Sequence, residues 1–189
     1  MNLEGFINFI KKYISVSEET ENSIIQIAEY HEPKKGVILL EQGKTCKQLY
    51  FLVIGTVRTY FYQNDKDITH WVYIDGSIFT SYHSYILQKP SVEYIEAAED
   101  CKIISISYSN WQKLYKKHPE LERFGRLMME EQMASIDGFY KGYYFLSAKE
   151  KYDLLIENYP NILQKANLGH IASMLGISQE TLSRIRGRQ

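Results

Sequence analysis

Residues 167–189 read NLGHIASMLGISQETLSRIRGRQ. Leu168, Ile171, Ala172 and Leu175 recur at the three- and four-residue spacing of one helical face, and Leu182 and Ile185 resume it beyond Gly176. This spacing predicts a helix, a tight turn and a second helix. Ala172 is small where two helices must cross closely, Gly176 suits the left-handed turn after a helix, and Ile177 can plug the space between the two. Ser178 offers a hydroxyl to cap the second helix. Beyond that cap the outward positions are Gln179, Glu180, Thr181, Ser183, Arg184, Arg186 and Arg188, a set of amides, hydroxyls and guanidiniums suited to base edges and phosphates. The pattern is that of a DNA-reading helix-turn-helix with its second helix in the groove.

Charge separates this reading from that of a plain helical hairpin. From Lys165 onward Lys165, Arg184, Arg186 and Arg188 face a single acid, Glu180, for a net +3, while the whole chain is −1. A basic tip on an acidic body is the asymmetry expected of a nucleic-acid reader. The remaining totals are those of an ordinary soluble globular protein: 189 residues, 44% hydrophobic and 24% charged. No apolar run approaches the roughly 18 residues of a membrane span, and MNLEGFINFIKKY lacks the order of a signal peptide, so a cytoplasmic location without membrane contact is expected. Cys46 and Cys101 fit reduced thiols in that setting.

Working back from the terminus, Ser147 with Glu150 forms a capping box for a helix carrying Tyr152, Leu154, Leu155 and Ile156, closed by Pro160. Before it, Met129, Met133, Ile136, Tyr140 and Tyr143 step by four, three, four and three, the heptad spacing of a helix that packs against a partner helix. The same face could instead pack on the chain's own body. Gly138 and Gly142 weaken this helix by about 1 kcal/mol each relative to alanine, which makes its carboxyl end a candidate hinge. From Gly36 to Ile106 the grammar is different: about six to eight short β runs at roughly ten-residue spacing, which predict a sandwich or jelly roll. Ahead of the roll, Leu3, Phe6, Ile7 and Ile10 make one helical stripe. Ser17 caps a second stripe of Ile24, Ile25, Ile27 and Ala28, and Pro33 ends the helical region. The expected class is α+β, with a sensor roll over 1–118, a long helix and hinge over 119–146, and a helix-turn-helix unit over 147–189.

This order resembles the bacterial transcription regulators that include the cyclic-AMP receptor protein and the FNR oxygen sensor. ILLEQGKTCKQLYFLVIGTVRTYF is similar to the family's roll signature at Gly43, Tyr50, Phe51, Gly55, Val57 and Arg58, and HIASMLGISQETLSRIR is similar to its reader motif. The resemblance implies a cyclic-nucleotide-binding-like β-roll and a homodimer joined along the long helix. It also implies two readers about 34 Å apart on a pseudo-palindromic site. At matching positions Gln179, Glu180, Ser183 and Arg184 would approach bases, and Ser178, Arg186, Arg188 and Lys165 would contact phosphates. The implied partners are double-stranded DNA, a second copy of the chain, RNA polymerase and a small-molecule effector.

The departures narrow that effector. Nucleotide-binding members of the family hold the ribose with a glycine-glutamate pair and the cyclic phosphate with an arginine followed by serine or threonine. Here the corresponding places read Gly76-Ser77 and Pro90-Ser91. An uncompensated phosphate in an apolar pocket costs several kcal/mol, so cyclic AMP is not the expected ligand. Two distant cysteines do not suit an iron–sulfur cluster, and His31, His70 and His83 are isolated, so no metal or cofactor is expected. The candidate effector pocket comprises Gly76, Ser77, Tyr82, His83 and Ser91. An enzyme on a cupin-like roll would need convergent ligands, and no paired histidines or nucleophile motif is present, so catalysis is not expected. The remaining alternative is a ligand-binding or protein-interaction module whose terminal helices no longer read DNA.

Overall fold

A computed structural model of the chain describes residues 3–187. Arg188, expected to contact phosphate, lies outside the described residues. Helices α1 (Glu4–Lys11) and α2 (Glu18–Ile27) come first, and the Ser17 hydroxyl caps α2 by accepting from the Thr20 N–H at 3.1 Å. Within the stripe expected on α2, Ile24 is buried but Ile25 is exposed, because the helix turns only one edge toward the core. The strands begin before Pro33, earlier than the sequence suggests. They are β1 (Glu29–His31), β2 (Ile38–Leu40), β3 (Gln48–Ile54), β4 (Val57–Gln63), β5 (Lys66–Tyr73), β6 (Ile78–Phe79), β7 (Tyr94–Ala97) and β8 (Lys102–Ser107), with the short helix α3 (Tyr82–Leu87) between β6 and β7.

The strands form two four-stranded antiparallel sheets, β1-β8-β3-β6 and β2-β7-β4-β5. Asn64 and Asp65, at φ 50° and 58°, make the two-residue turn between β4 and β5, a left-handed pair whose twist suits a hairpin. Gly55 has φ 113°, and a Cβ there would come 2.7 Å from Cys101 Sγ, so this position admits glycine alone. Between the sheets Leu40, Tyr50, Leu52, Val57, Phe79, Ile95, Ala97 and Ile103 fill the roll.

Five helices and a connector follow: α4 (Tyr108–Lys117), α5 (Glu120–Phe145), α6 (Ala148–Asn158), the single turn α7 (Ile162–Lys165), α8 (Leu168–Met174) and α9 (Gln179–Arg186). The outer face of the first sheet packs on α1, α2, α4 and the first half of α5, through Phe6, Phe51, Trp111, Leu121, Phe124 and Met128. Trp111 lies stacked on Phe124 at 6.2 Å and meets the edge of Phe6 at 6.4 Å. Truncating a ring buried this fully costs about 3–5 kcal/mol. Helix α5 runs unbroken through Gly138 and Gly142. The chain turns at Leu146, with ψ 145°, just before the Ser147–Glu150 capping box, both of whose hydrogen bonds are present. Gly142 instead permits close packing, since a Cβ there would lie 2.9 Å from Leu154 Cδ2.

Candidate nucleic-acid interface and effector cavity

The terminal motif folds as its sequence predicts. Asn167 caps α8, its side-chain oxygen accepting from the Gly169 N–H at 2.7 Å, and Ser178 caps α9 by accepting from the Thr181 N–H at 3.2 Å. Gly176 has φ 66° and sits at the turn. Ile171, Ala172, Met174, Leu175 and Leu182 are buried together with Tyr152 and Leu155 of α6. That packing fixes which edge of α9 faces outward. Ser178, Gln179, Glu180, Ser183, Arg184 and Arg186 are all exposed, and neither arginine has an ion-pair partner among the described residues. Glu180, at the first turn of α9, is held below the usual carboxylate range by its own backbone N–H and by Ser178.

Lys165, expected to contact phosphate, is exposed and also reaches the roll. Its Nζ donates to Asp75 at 2.9 Å and its carbonyl accepts from Thr56 Oγ1 at 2.9 Å. This exposed ion pair forms because α7 lies against the β5–β6 turn. Further bonds join the same two bodies. The Thr69 N–H, on the edge strand β5, donates to Ser173 Oγ at 2.9 Å, while Val72, Trp71 and Ile74 enter the apolar core of the helix-turn-helix unit.

Beneath α8 the outer face of the second sheet holds a buried charge network that the sequence reading did not identify. Arg58 donates to Glu96 from Nε at 3.1 Å and Nη2 at 2.7 Å, to Asp67 at 2.8 Å and to Thr69 at 3.2 Å, and it lies 4.0 Å from the Tyr60 ring centre. Burial opposes its charge, but Asp67 and Glu96 outweigh burial and raise its pKa. His170 of α8 packs near this network, with Nδ1 buried and unbonded. Burial first and then the Arg58 charge hold its imidazole below the ordinary range. The signal available in the sequence was the family-like Arg58 itself, a charged residue inside an otherwise apolar strand.

On α5, Met129 packs partly against the core between the helices and the first sheet, whereas Met133, Ile136, Tyr140 and Tyr143 are 71%, 58%, 60% and 43% exposed. Tyr144 and Phe145 extend this apolar surface. Tyr143 has a second contact: a Cβ on Gly176 would come 2.7 Å from its hydroxyl, so its ring lies over the turn between α8 and α9.

The candidate effector residues differ in their surroundings. Gly76 and Ser77 form the tight turn before β6 and bond the Leu52 backbone. Ser91 Oγ is occupied by Ser81 at 3.1 Å and the Glu93 carbonyl at 2.8 Å, and His83 is exposed. Tyr82 lines a cavity of about 420 Å³ between α3, α4 and α5, whose lining includes none of the other four. The roll itself is filled with rings. Tyr50 stacks on Phe79 at 4.9 Å and Tyr73 lies 5.3 Å from Phe79, while outside the roll Trp71 meets Phe139 of α5 at 4.8 Å and Tyr159 at 5.7 Å. With Ser77 and Pro90 at the ribose and phosphate positions and Ser91 already bonded, these residues do not fit a cyclic nucleotide.

No group of three or more histidines, cysteines or carboxylates is arranged to hold a metal among the described residues. Nor is any described helix long and apolar enough to cross a membrane. Both cysteines are buried free thiols.

Residues 31–118 match the cyclic nucleotide-binding domain family. No curated protein sequence matches the chain. Among solved structures it is similar to FixK2 of Bradyrhizobium japonicum, at 16% identity and TM-score 0.74 over 86% of this chain and 84% of that one. It is also similar to CLP of Xanthomonas campestris, described as a c-di-GMP-responsive global regulator, at 12% identity and TM-score 0.67 over 91% of each. A Eubacterium rectale protein assigned to the crp/fnr family matches at 19% identity and TM-score 0.66, over 92% of this chain and 85% of that one. Residues 31–118 are thus similar to the cyclic nucleotide-binding domain, and the chain as a whole shares the fold of these solved Crp/Fnr-type structures.

Proposed function

We propose that the chain is a dimeric, sequence-specific DNA-binding transcription regulator. The observation that carries this reading is the outward edge of α9. Its side chains are exposed and its cations Arg184 and Arg186 have no ion-pair partner among the described residues, while α8 is fastened to the roll behind it. Arg184 pairs bidentately with a guanine, Glu180 accepts from a cytosine amino group, and Gln179 and Ser183 read neighbouring edges. Ser178 and Arg186 contact phosphates and set the register. The exposed heptad face of Met133, Ile136 and Tyr140 is the seam for a second copy, which doubles the reader and makes the operator pseudo-palindromic. The three segments 1–118, 119–146 and 147–189 act as sensor, coupling helix and reader. RNA polymerase at a neighbouring promoter completes the partner set. The effector is a small molecule other than cyclic AMP.

Selection of bound duplexes from a random pool, followed by gel shift, tests this reading. The wild type is expected to enrich a two-fold symmetric site. Arg184→Ala is expected to lose about 1–3 kcal/mol at one base position per half-site. Enrichment of no sequence, or unchanged selectivity in Arg184→Ala, would refute it and leave a sensor module without a working reader.

A further inference from the structure

The effector half of that reading leaves open where a ligand binds, since the roll is closed by its own rings. The cavity between α3, α4 and α5 is of a different kind. Its volume, about 420 Å³, falls within the roughly 300–1,000 Å³ of small-molecule sites. Leu49 and Met128, both buried, line it, and Tyr85, Tyr108 and Tyr115 add three aromatic rings. Tyr85 and Tyr108 meet edge to face at 5.3 Å. None of these three hydroxyls has a hydrogen-bond partner among the described residues. Gly125 allows Tyr115 to reach α5, because a Cβ at that position would lie 2.8 Å from the Tyr115 hydroxyl.

The charges stand apart from this interior. Gln112, Glu122 and Arg126 are exposed lining residues, and Arg126 is already bonded to Glu130 at 2.6 Å. Burial raises the Tyr85 and Tyr115 phenols, so both remain neutral donors at physiological pH. Neutral phenols and apolar side chains, with a carboxylate nearby, suit an uncharged ring and reject a polyanion.

We infer that this cavity between α3, α4 and α5 is the effector site, and that it takes a small, uncharged aromatic molecule carrying one hydrogen-bonding substituent, of the indole or phenol class. The inference deepens the regulator reading and rests on it for the meaning of the binding event. Its consequence is local to α5. Met129 lines the cavity and is also the first position of the heptad face, so an occupant presses on the base of the dimer seam. The thioether suits contact with an aromatic ring edge.

The test uses the full chain labelled at methionine methyl carbons, titrated with indole and, separately, with phenol while methyl NMR spectra are recorded. The sequence has five methionines, and Met174 in the reader core serves as the internal control. Saturable shifts of the Met128 and Met129 resonances with Met174 unmoved are expected. Filling the exposed entrance with Ile86→Trp, or independently with Gln112→Trp, should weaken binding by about tenfold or more. No saturable shift at Met128 and Met129 with either probe overturns the inference, as does equal response at Met174 or undiminished binding in both filled variants. Shifts at Met129 that depend on protein concentration rather than on probe would assign the cavity to a second copy of the chain and overturn it as well. No DNA enters this measurement, so its failure is distinct from failure of the reader.

Discussion

Replacing Gly176 by alanine probes the turn of the reader and its tie to the long helix at once. The position has φ 66°, where an L-residue pays about 1–2 kcal/mol. The new methyl would also lie 2.7 Å from the Tyr143 hydroxyl and 3.1 Å from ring atoms Cε2 and Cζ, contacts that force the ring aside. Overpacking of this kind typically costs about 1–3 kcal/mol, and the lower end applies because the hydroxyl is the far end of a half-exposed side chain. The expected loss is therefore about 2–3 kcal/mol. Urea denaturation followed by Trp71 fluorescence measures it, because Trp71 touches Phe139, Tyr159 and the reader core. In a Tyr143→Ala background the same substitution should cost only the backbone share, so the two changes should couple by about 1 kcal/mol. A loss under about 0.5 kcal/mol, or no coupling, would refute the placement of Tyr143 over the turn.

Gly138 offers the opposite result. A Cβ there meets nothing within 4 Å and the residue is inside α5, so Gly138→Ala should raise stability by about 0.5–1 kcal/mol, read as a higher urea midpoint. Ile136→Glu places a carboxylate in the seam. It should weaken dimerisation by about a hundredfold or more, about 2.7 kcal/mol, by sedimentation equilibrium, with DNA affinity falling in parallel. His170 gives a pH dependence whose sign follows from its depressed pKa. The unfolded chain takes up a proton near pH 6.5 and the folded chain resists it, so stability is unaffected above that value and falls as pH drops through and below it. His170→Gln should flatten the loss between about pH 7.5 and about pH 5.5, measured as the difference in urea midpoints.

What the sequence made legible was local. A turn glycine, two helix caps and a capping box each act within four residues, and all were found at Gly176, Ser178, Ser17 and Ser147. The roll was legible through its strand spacing. Strand β1 was not, because three residues are too few to show alternation. The apolar face of α5 was visible as a heptad, but the contact of Tyr143 with Gly176 depends on where α5 ends relative to a turn 33 residues later. Lys165 was assigned by charge alone, and its partner Asp75 lies 90 residues away in sequence. The candidate effector pocket was transferred from matched positions. In the structure Ser91 is bonded within the protein and the rings of Tyr50, Tyr73 and Phe79 fill the roll, both of which are outcomes of packing that no single stretch encodes.

The bond from the Thr69 N–H to Ser173 has a colloidal side. Strand β5 is the outermost strand of its sheet, and α8 is what shelters its free edge and the flank of Val72 beside it. Lifting the reader away would bare a strand ready to pair with any other chain. The posture of the helix-turn-helix unit and the tendency of the chain to self-associate are therefore linked, and conditions that undock this unit from the roll should be the ones under which the protein aggregates.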